Sequence, residues 1–127
     1  MKKKVLVVDD DPTVLELYVP YFTMKGYDTV GAVDGPEGLA ILGREKIDVI
    51  VLDLAMPGMQ GEDVMEKIAQ NPDWKKIPII VESALGPETG RPQKVKERFT
   101  GRLRFEIFQR PNSLEKLQEM MGEMIAL

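Results

Sequence analysis

Apolar positions along the chain fall into five short runs, separated by stretches in which they recur every three or four residues. Val5–Val8, the residues from about 48 to 53, Ile77–Val81 and Phe105–Phe108 are strand-length and rich in β-formers, as strands buried on both faces of a parallel sheet are. Residues 28–33 alternate only weakly, which predicts a strand at or near the sheet edge. The intervening stretches read as helices. From about 12 to 25, Val14, Leu15, Leu17, Tyr18, Tyr21 and Phe22 form an inward stripe behind an Asp11 N-cap and Pro12 in the first turn. Pro20 removes one hydrogen bond and predicts a kink there, and Gly26 is placed to end the helix in the left-handed conformation.

A second helix, from about 36 to 44, turns Leu39, Leu42 and Ile47 inward and is weakened by Gly38 and Gly43. A loop over 54–61 leads to a third helix over 62–70, with Val64, Met65 and Ile68 on one face. After the fourth strand the pattern loosens. Val95, Phe99 and Leu103, four residues apart, allow a helix of about 92–100 with irregular flanks. The last helix starts behind Asn112 or Ser113 and carries Leu114, Leu117, Met120, Met121, Met124 and Ile125 at helical spacing. Strands alternating with helices predict an α/β, doubly wound, five-stranded parallel sheet with helices on both faces and right-handed crossovers. In such sheets ligands bind beyond the carboxyl ends of the strands.

Length and composition narrow this reading. The chain has 127 residues, one domain's worth, enough to bury about 65–70% of its unfolded surface in one core, so residues 1–127 are expected to form a single domain. Hydrophobic residues at 43% and charged residues at 30% suit a globular protein, and no apolar run reaches membrane-spanning length. The apolar stretch after the N-terminal lysines is too short for a signal-peptide core, so a cytoplasmic location is expected. With neither Cys nor His, disulfides, thiolate nucleophiles, imidazole bases and His- or Cys-ligated metals are excluded. The remaining chemistry belongs to carboxylates, hydroxyls, cations and backbone.

Val49–Gly58 delivers Asp53 to a Pro-Gly turn at the end of an apolar run, and Asp9, Asp10 and Asp11 follow the first strand. Placed at adjacent strand ends, Asp9, Asp10 and Asp53 approach within about 5 Å and repel by about 3 kcal/mol per pair. Such a cluster holds a proton or a cation. An all-oxygen site favours Mg²⁺ or Mn²⁺, and bound Mg²⁺ accepts phosphate oxygens. Ser83 after the fourth strand offers a hydroxyl and Arg110 after the fifth a cation, a set suited to a loose phosphoryl transition state with Asp53 as nucleophile. Each residue also has a plainer reading: the acids as helix caps, Ser83 as a turn residue, Arg110 as a structural salt bridge to the acids.

Val7-Val8-Asp9-Asp10-Asp11-Pro12, Leu52-Asp53-Leu-Ala-Met-Pro57-Gly58, Ser83-Ala84 and Arg110-Pro111 stand in an order and spacing that resembles the receiver domain of two-component response regulators. The chain is similar to the single-domain chemotaxis type over nearly its whole length. The resemblance implies the flavodoxin-like strand order 2-1-3-4-5. It also implies a phosphoacceptor switch, in which Asp53 takes a phosphoryl group from a histidine kinase or phosphotransfer protein rather than turning over an external substrate. Asp10 would bind Mg²⁺ directly and Asp9 partly through water, with Asp53 and the backbone carbonyl of Ala55 completing the protein ligands. Departures are local. The family usually has Lys where this chain has Arg110, and an aromatic three residues earlier, where this chain has Ile107 with Phe108 beside it. The stretch from Ser83 to Arg110 is also longer than in the chemotaxis type.

Residues 86–110 contain seven cations (Arg91, Lys94, Lys96, Arg98, Arg102, Arg104, Arg110) against three acids, in a chain of net charge −4. Because this family signals through the face of helix 4, strand 5 and helix 5, an acidic protein partner is expected there. Nucleic acid is a poorer fit to a sequence pI of about 4.9. Two rival readings remain: a pseudo-receiver that binds partners independently of phosphorylation, and a Mg²⁺-dependent phosphohydrolase. The latter commonly has an acid two residues after its nucleophile, where this chain has Ala55.

Overall fold

The computed structural model describes residues 2–126. Its strands are β1 (Lys4–Val8), β2 (Asp28–Ala32), β3 (Val49–Asp53), β4 (Ile79–Ser83) and β5 (Phe105–Gln109). They form one sheet in the order β2-β1-β3-β4-β5, and every neighbouring pair is parallel. This is the doubly wound α/β architecture that the alternating elements predict, with the strand order that the family resemblance implies. β2 and β5 are the edge strands, and the mixed burial of β2 explains its weak alternation.

Side-chain alternation divides the core in two. Val5, Val7, Val49, Val51, Ile80 and Phe108 pack under α1 (Pro12–Met24) and α5 (Leu114–Ala126). Leu6, Val8, Ile50, Leu52, Ile79 and Val81 pack under α2 (Gly35–Leu42), α3 (Gly61–Ala69) and α4 (Arg91–Phe99). β1, β3 and β4 are buried on both faces, which is why their sequences read as continuous apolar runs.

α1 matches its expected span and contains Pro20, and it is opened by Asp11, whose carboxylate accepts from the Thr13 N–H at 2.9 Å. Several boundaries differ from expectation for identifiable reasons. α2 stops at Leu42 because Gly43 serves as its C-cap. β4 starts at Ile79, after Pro78 has contributed its carbonyl to the Ile50 N–H, and runs on through Glu82 and Ser83. Polarity suggested that the strand ends at Val81, but both polar residues are buried. Before α4 a single 3₁₀ turn spans Pro87–Thr89, accounting for the loose pattern there.

Two glycines set close approaches beneath the strand ends. A Cβ on Gly38 would lie 2.9 Å from Val8 Cγ2, so α2 sits directly on β1. A Cβ on Gly61 would lie 2.6 Å from the Asp53 carbonyl oxygen, so the first turn of α3 is packed against the backbone that carries Asp53.

Candidate functional site

Strand parity and register assemble the site. Asp53 is two residues past Val51 and therefore lies on the α1/α5 face of β3. Its register partner on β4 is Glu82, two residues past Ile80 on the same face. Asp9, two residues past Val7, continues the row at the end of β1, where its N–H is held by the Ala32 carbonyl at 3.0 Å. Three carboxylates thus line the carboxyl ends of three neighbouring strands, and Asp9, Asp53 and Glu82 are exposed by only 1%, 7% and 1%.

Arg110, two residues past Phe108, supplies the opposing charge. Its Nη2 donates to Asp9 Oδ2 at 2.6 Å and to Glu82 Oε1 at 2.9 Å, while its Nε donates to Glu82 Oε2 at 3.2 Å. Tyr18 of α1 donates its hydroxyl to Glu82 Oε2 at 2.7 Å. Burial works against the guanidinium's charge, but Glu82 and then Asp9 override it and hold Arg110 firmly protonated. Burial, and then the Glu82 charge, push the Tyr18 hydroxyl well above its usual range, so it stays a donor.

The carboxylate oxygens of Asp9, exposed Asp10 and Asp53 lie within 4.8 Å of one another. Asp53 is pushed up to about 6 from an ordinary 3.8, by burial first and by Asp9 second, with Arg110 opposing. A cluster of this kind is short of positive charge. Its donors are all oxygen, and Asp10 opens it to solvent, so the residues fit a hard divalent cation such as Mg²⁺. Ala55, also exposed, brings its N–H to 3.4 Å from Asp53 Oδ1, so its backbone adjoins the cluster.

The other sequence-derived residues divide. Ser83 is buried at the end of β4, where its hydroxyl donates to the Leu85 carbonyl at 2.8 Å and so ties down the loop beyond. Ile107 packs against the α2/α3/α4 cluster, whereas Phe108 points into the α1/α5 core. One step along a strand reverses the face, so Phe108 does not substitute for an aromatic at 107.

Glu82, Tyr18 and Arg91 were not singled out as site residues by sequence reasoning. Glu82 did leave a signal, since an acid two residues past Ile80 in an apolar run must emerge on that strand's buried face. Tyr18 was assigned only to the core stripe. Arg91 left no signal: it reaches back from α4 to the loop after Asp53, donating to the Leu54 carbonyl at 2.8 Å, to Gln60 at 2.8 Å and to both Glu62 oxygens at 2.7 Å.

Comparison with known proteins agrees with this geometry. A family model for the response regulator receiver domain matches residues 5–103. The chain is 38% identical over 85 residues to the response regulator PleD of Caulobacter vibrioides, covering 67% of this chain and 19% of PleD. It is 32% identical to the alkaline phosphatase synthesis transcriptional regulatory protein PhoP of Bacillus subtilis, covering 98% of this chain and 58% of PhoP. The chain therefore spans less than two thirds of either relative. Its fold is similar to that of the chemotaxis protein CheY4 of Vibrio cholerae, with a TM-score of 0.84 at 24% identity over 98% of this chain and 99% of that one.

Proposed function

The chain belongs to the response regulator receiver domain family, and from that membership we propose that it is a phosphoacceptor switch whose acceptor is Asp53. Receiver domains are signalling modules that take phosphoryl groups from histidine kinases or phosphotransfer proteins. The observation that carries the reading is the meeting of Asp53 with Asp9 and Asp10 within 4.8 Å, beside a guanidinium close enough to lower the Asp53 pKa.

In this reading an Asp53 carboxylate oxygen attacks phosphorus in line, the bond from phosphorus to the donor breaks, and the donor leaves with the electron pair. The product is an acyl phosphate. Asp10, Asp9, Asp53 and the Ala55 carbonyl would hold Mg²⁺, which neutralises charge on the phosphoryl oxygens when bound. Ser83 would trade the Leu85 carbonyl for a phosphoryl oxygen, freeing the loop after β4, and Arg110 would turn from Asp9 toward the same group. These moves bias a pre-existing equilibrium at the face of α4, β5 and α5. A cytoplasmic location is part of the proposal, and no helix among the described residues is long and apolar enough to cross a membrane.

We place the downstream protein partner on that face. Arg98 and Arg102 both bind Glu66 of α3 and Arg104 donates to the Met124 carbonyl, so Lys94 and Lys96 of α4 and Lys116 of α5, exposed and in no ion pair among the described residues, are free to meet an acidic partner. Incubation with acetyl phosphate and Mg²⁺, followed by intact-mass spectrometry, tests the reading. A single phosphoryl adduct is expected on the wild type and none on Asp53→Ala; an adduct that survives that substitution refutes Asp53 as acceptor.

A further inference from the structure

Glu82 has no part in the phosphoacceptor reading, yet it is a carboxylate exposed by only 1% at the centre of the site's polar network. A charge so buried persists only with strong partners. Its partners are arranged so that Glu82 governs how Arg110 sits. A guanidinium offers a side-on edge, Nε with Nη2, and an end-on edge, Nη1 with Nη2. Glu82 takes the side-on edge, at 3.2 Å from Nε and 2.9 Å from Nη2. The end-on edge meets Asp9, 2.6 Å from Nη2, and Nη1 donates to no protein group among the described residues. From α1, Tyr18 holds the Glu82 carboxylate at 2.7 Å.

We propose that Glu82 is a positioning residue for phosphoryl transfer to Asp53: it pins the side-on edge of Arg110, so that the end-on edge stays available to an anion on the neighbouring strand end. This rests on the phosphoacceptor reading above. The register supports it, because Glu82 and Asp53 are direct partners on β4 and β3 and share one face. The contrast between the two basic side chains explains why such a residue is needed. A lysine ends in one nitrogen with rotatable donors and reaches an anion without orientation by a second carboxylate. The planar fork of Arg110, without Glu82, would be free to close one edge on both Asp9 oxygens. With Glu82 in place, Nη2 can exchange Asp9 for a phosphoryl oxygen while the side-on pair persists, so the guanidinium pivots and is not released.

The test compares wild type, Glu82→Gln, Tyr18→Phe, Arg110→Lys and the Glu82→Gln/Arg110→Lys double variant. For each, the rate of phosphorylation by acetyl phosphate is followed by intact mass, and Mg²⁺ affinity is measured separately. Glu82→Gln is expected to slow phosphorylation about tenfold and Tyr18→Phe about threefold, with Mg²⁺ affinity changed less than about threefold. Added to Arg110→Lys, the Glu82→Gln change is expected to bring no further slowing. Glu82→Gln reacting at the wild-type rate or faster overturns the proposal. So does equal slowing with and without Arg110→Lys, or a loss of Mg²⁺ affinity in proportion to rate, which would mark a general structural role. Absence of any adduct on the wild type removes the phosphoacceptor reading and this proposal with it, whereas the other outcomes remove the proposal alone.

Discussion

At neutral pH Asp53 is ionised beside Asp9 and Asp10, although burial and Asp9 favour its protonated form up to about pH 6. Above that pH the fold therefore bears the cost of the charge. Asp53→Asn is expected to raise stability in metal-free buffer at neutral pH by about 1–2 kcal/mol, discounted for partial solvent screening. Thermal unfolding with chelator checks this; an Asn variant less stable than wild type would show that Asp53 is compensated by something other than Arg110. The acids and Arg110 could be named from sequence because each stands at the end of an apolar run, where parallel sheets place their ligands. The partners of Arg110 could not, because a salt bridge between residues 9 and 110 and another between 82 and 110 depend on which strands become neighbours.

Among the elements, α4 is held to α3 by charge as well as by its buried Val95 and Phe99. Arg98 and Arg102 converge on Glu66, whose carboxyl they hold at about 2, below an ordinary 4.5, with Arg102 the larger cause. A carboxyl lowered by folding stabilises above its unfolded pKa and loses that contribution as pH falls from about 4.5 toward 2. Glu66→Gln is thus expected to speed amide hydrogen exchange in α4 several-fold at neutral pH, and to change little at high salt or once wild type is itself protonated at that position. Unchanged exchange at low salt would mean that the clamp adds nothing to apolar packing. The α3 start is tighter. An added methyl on Gly61 would meet the Asp53 carbonyl at 2.6 Å and the Leu54 Cα at 2.7 Å, both backbone atoms that cannot rotate away. Gly61→Ala should cost about 1–3 kcal/mol and displace the loop after Asp53, read as a lower unfolding temperature together with weaker Mg²⁺ binding.

Across the whole molecule, the carboxyl ends of β1, β3, β4 and β5 converge on one edge, so whatever neutralises the carboxylates there also braces the sheet. Mg²⁺ at ten times its Kd is expected to stabilise the wild type by about 1.4 kcal/mol through mass action. The shift should be small in Asp10→Asn or Asp53→Asn, as measured by thermal unfolding with and without Mg²⁺; an equal shift in all three proteins would place the ion elsewhere. The fold class was legible from the order of apolar runs, because two-sided burial leaves an unbroken hydrophobic signature on β1, β3 and β4. The candidate acids were legible because charge at a strand end interrupts that signature. Where β4 ends was not legible, since strand parity points Glu82 at the α1/α5 face but only the position of Arg110 shows how a charge is neutralised there. Nor was the fate of the basic segment, where Arg91, Arg98 and Arg102 bind acids on α3 about thirty residues away in sequence. Sequence alone determined the consequences of local burial, namely the alternating elements and the acids set at their ends. Only the tertiary structure decided which charges meet, because pairing over long separations depends on strand order and helix packing that periodicity does not encode.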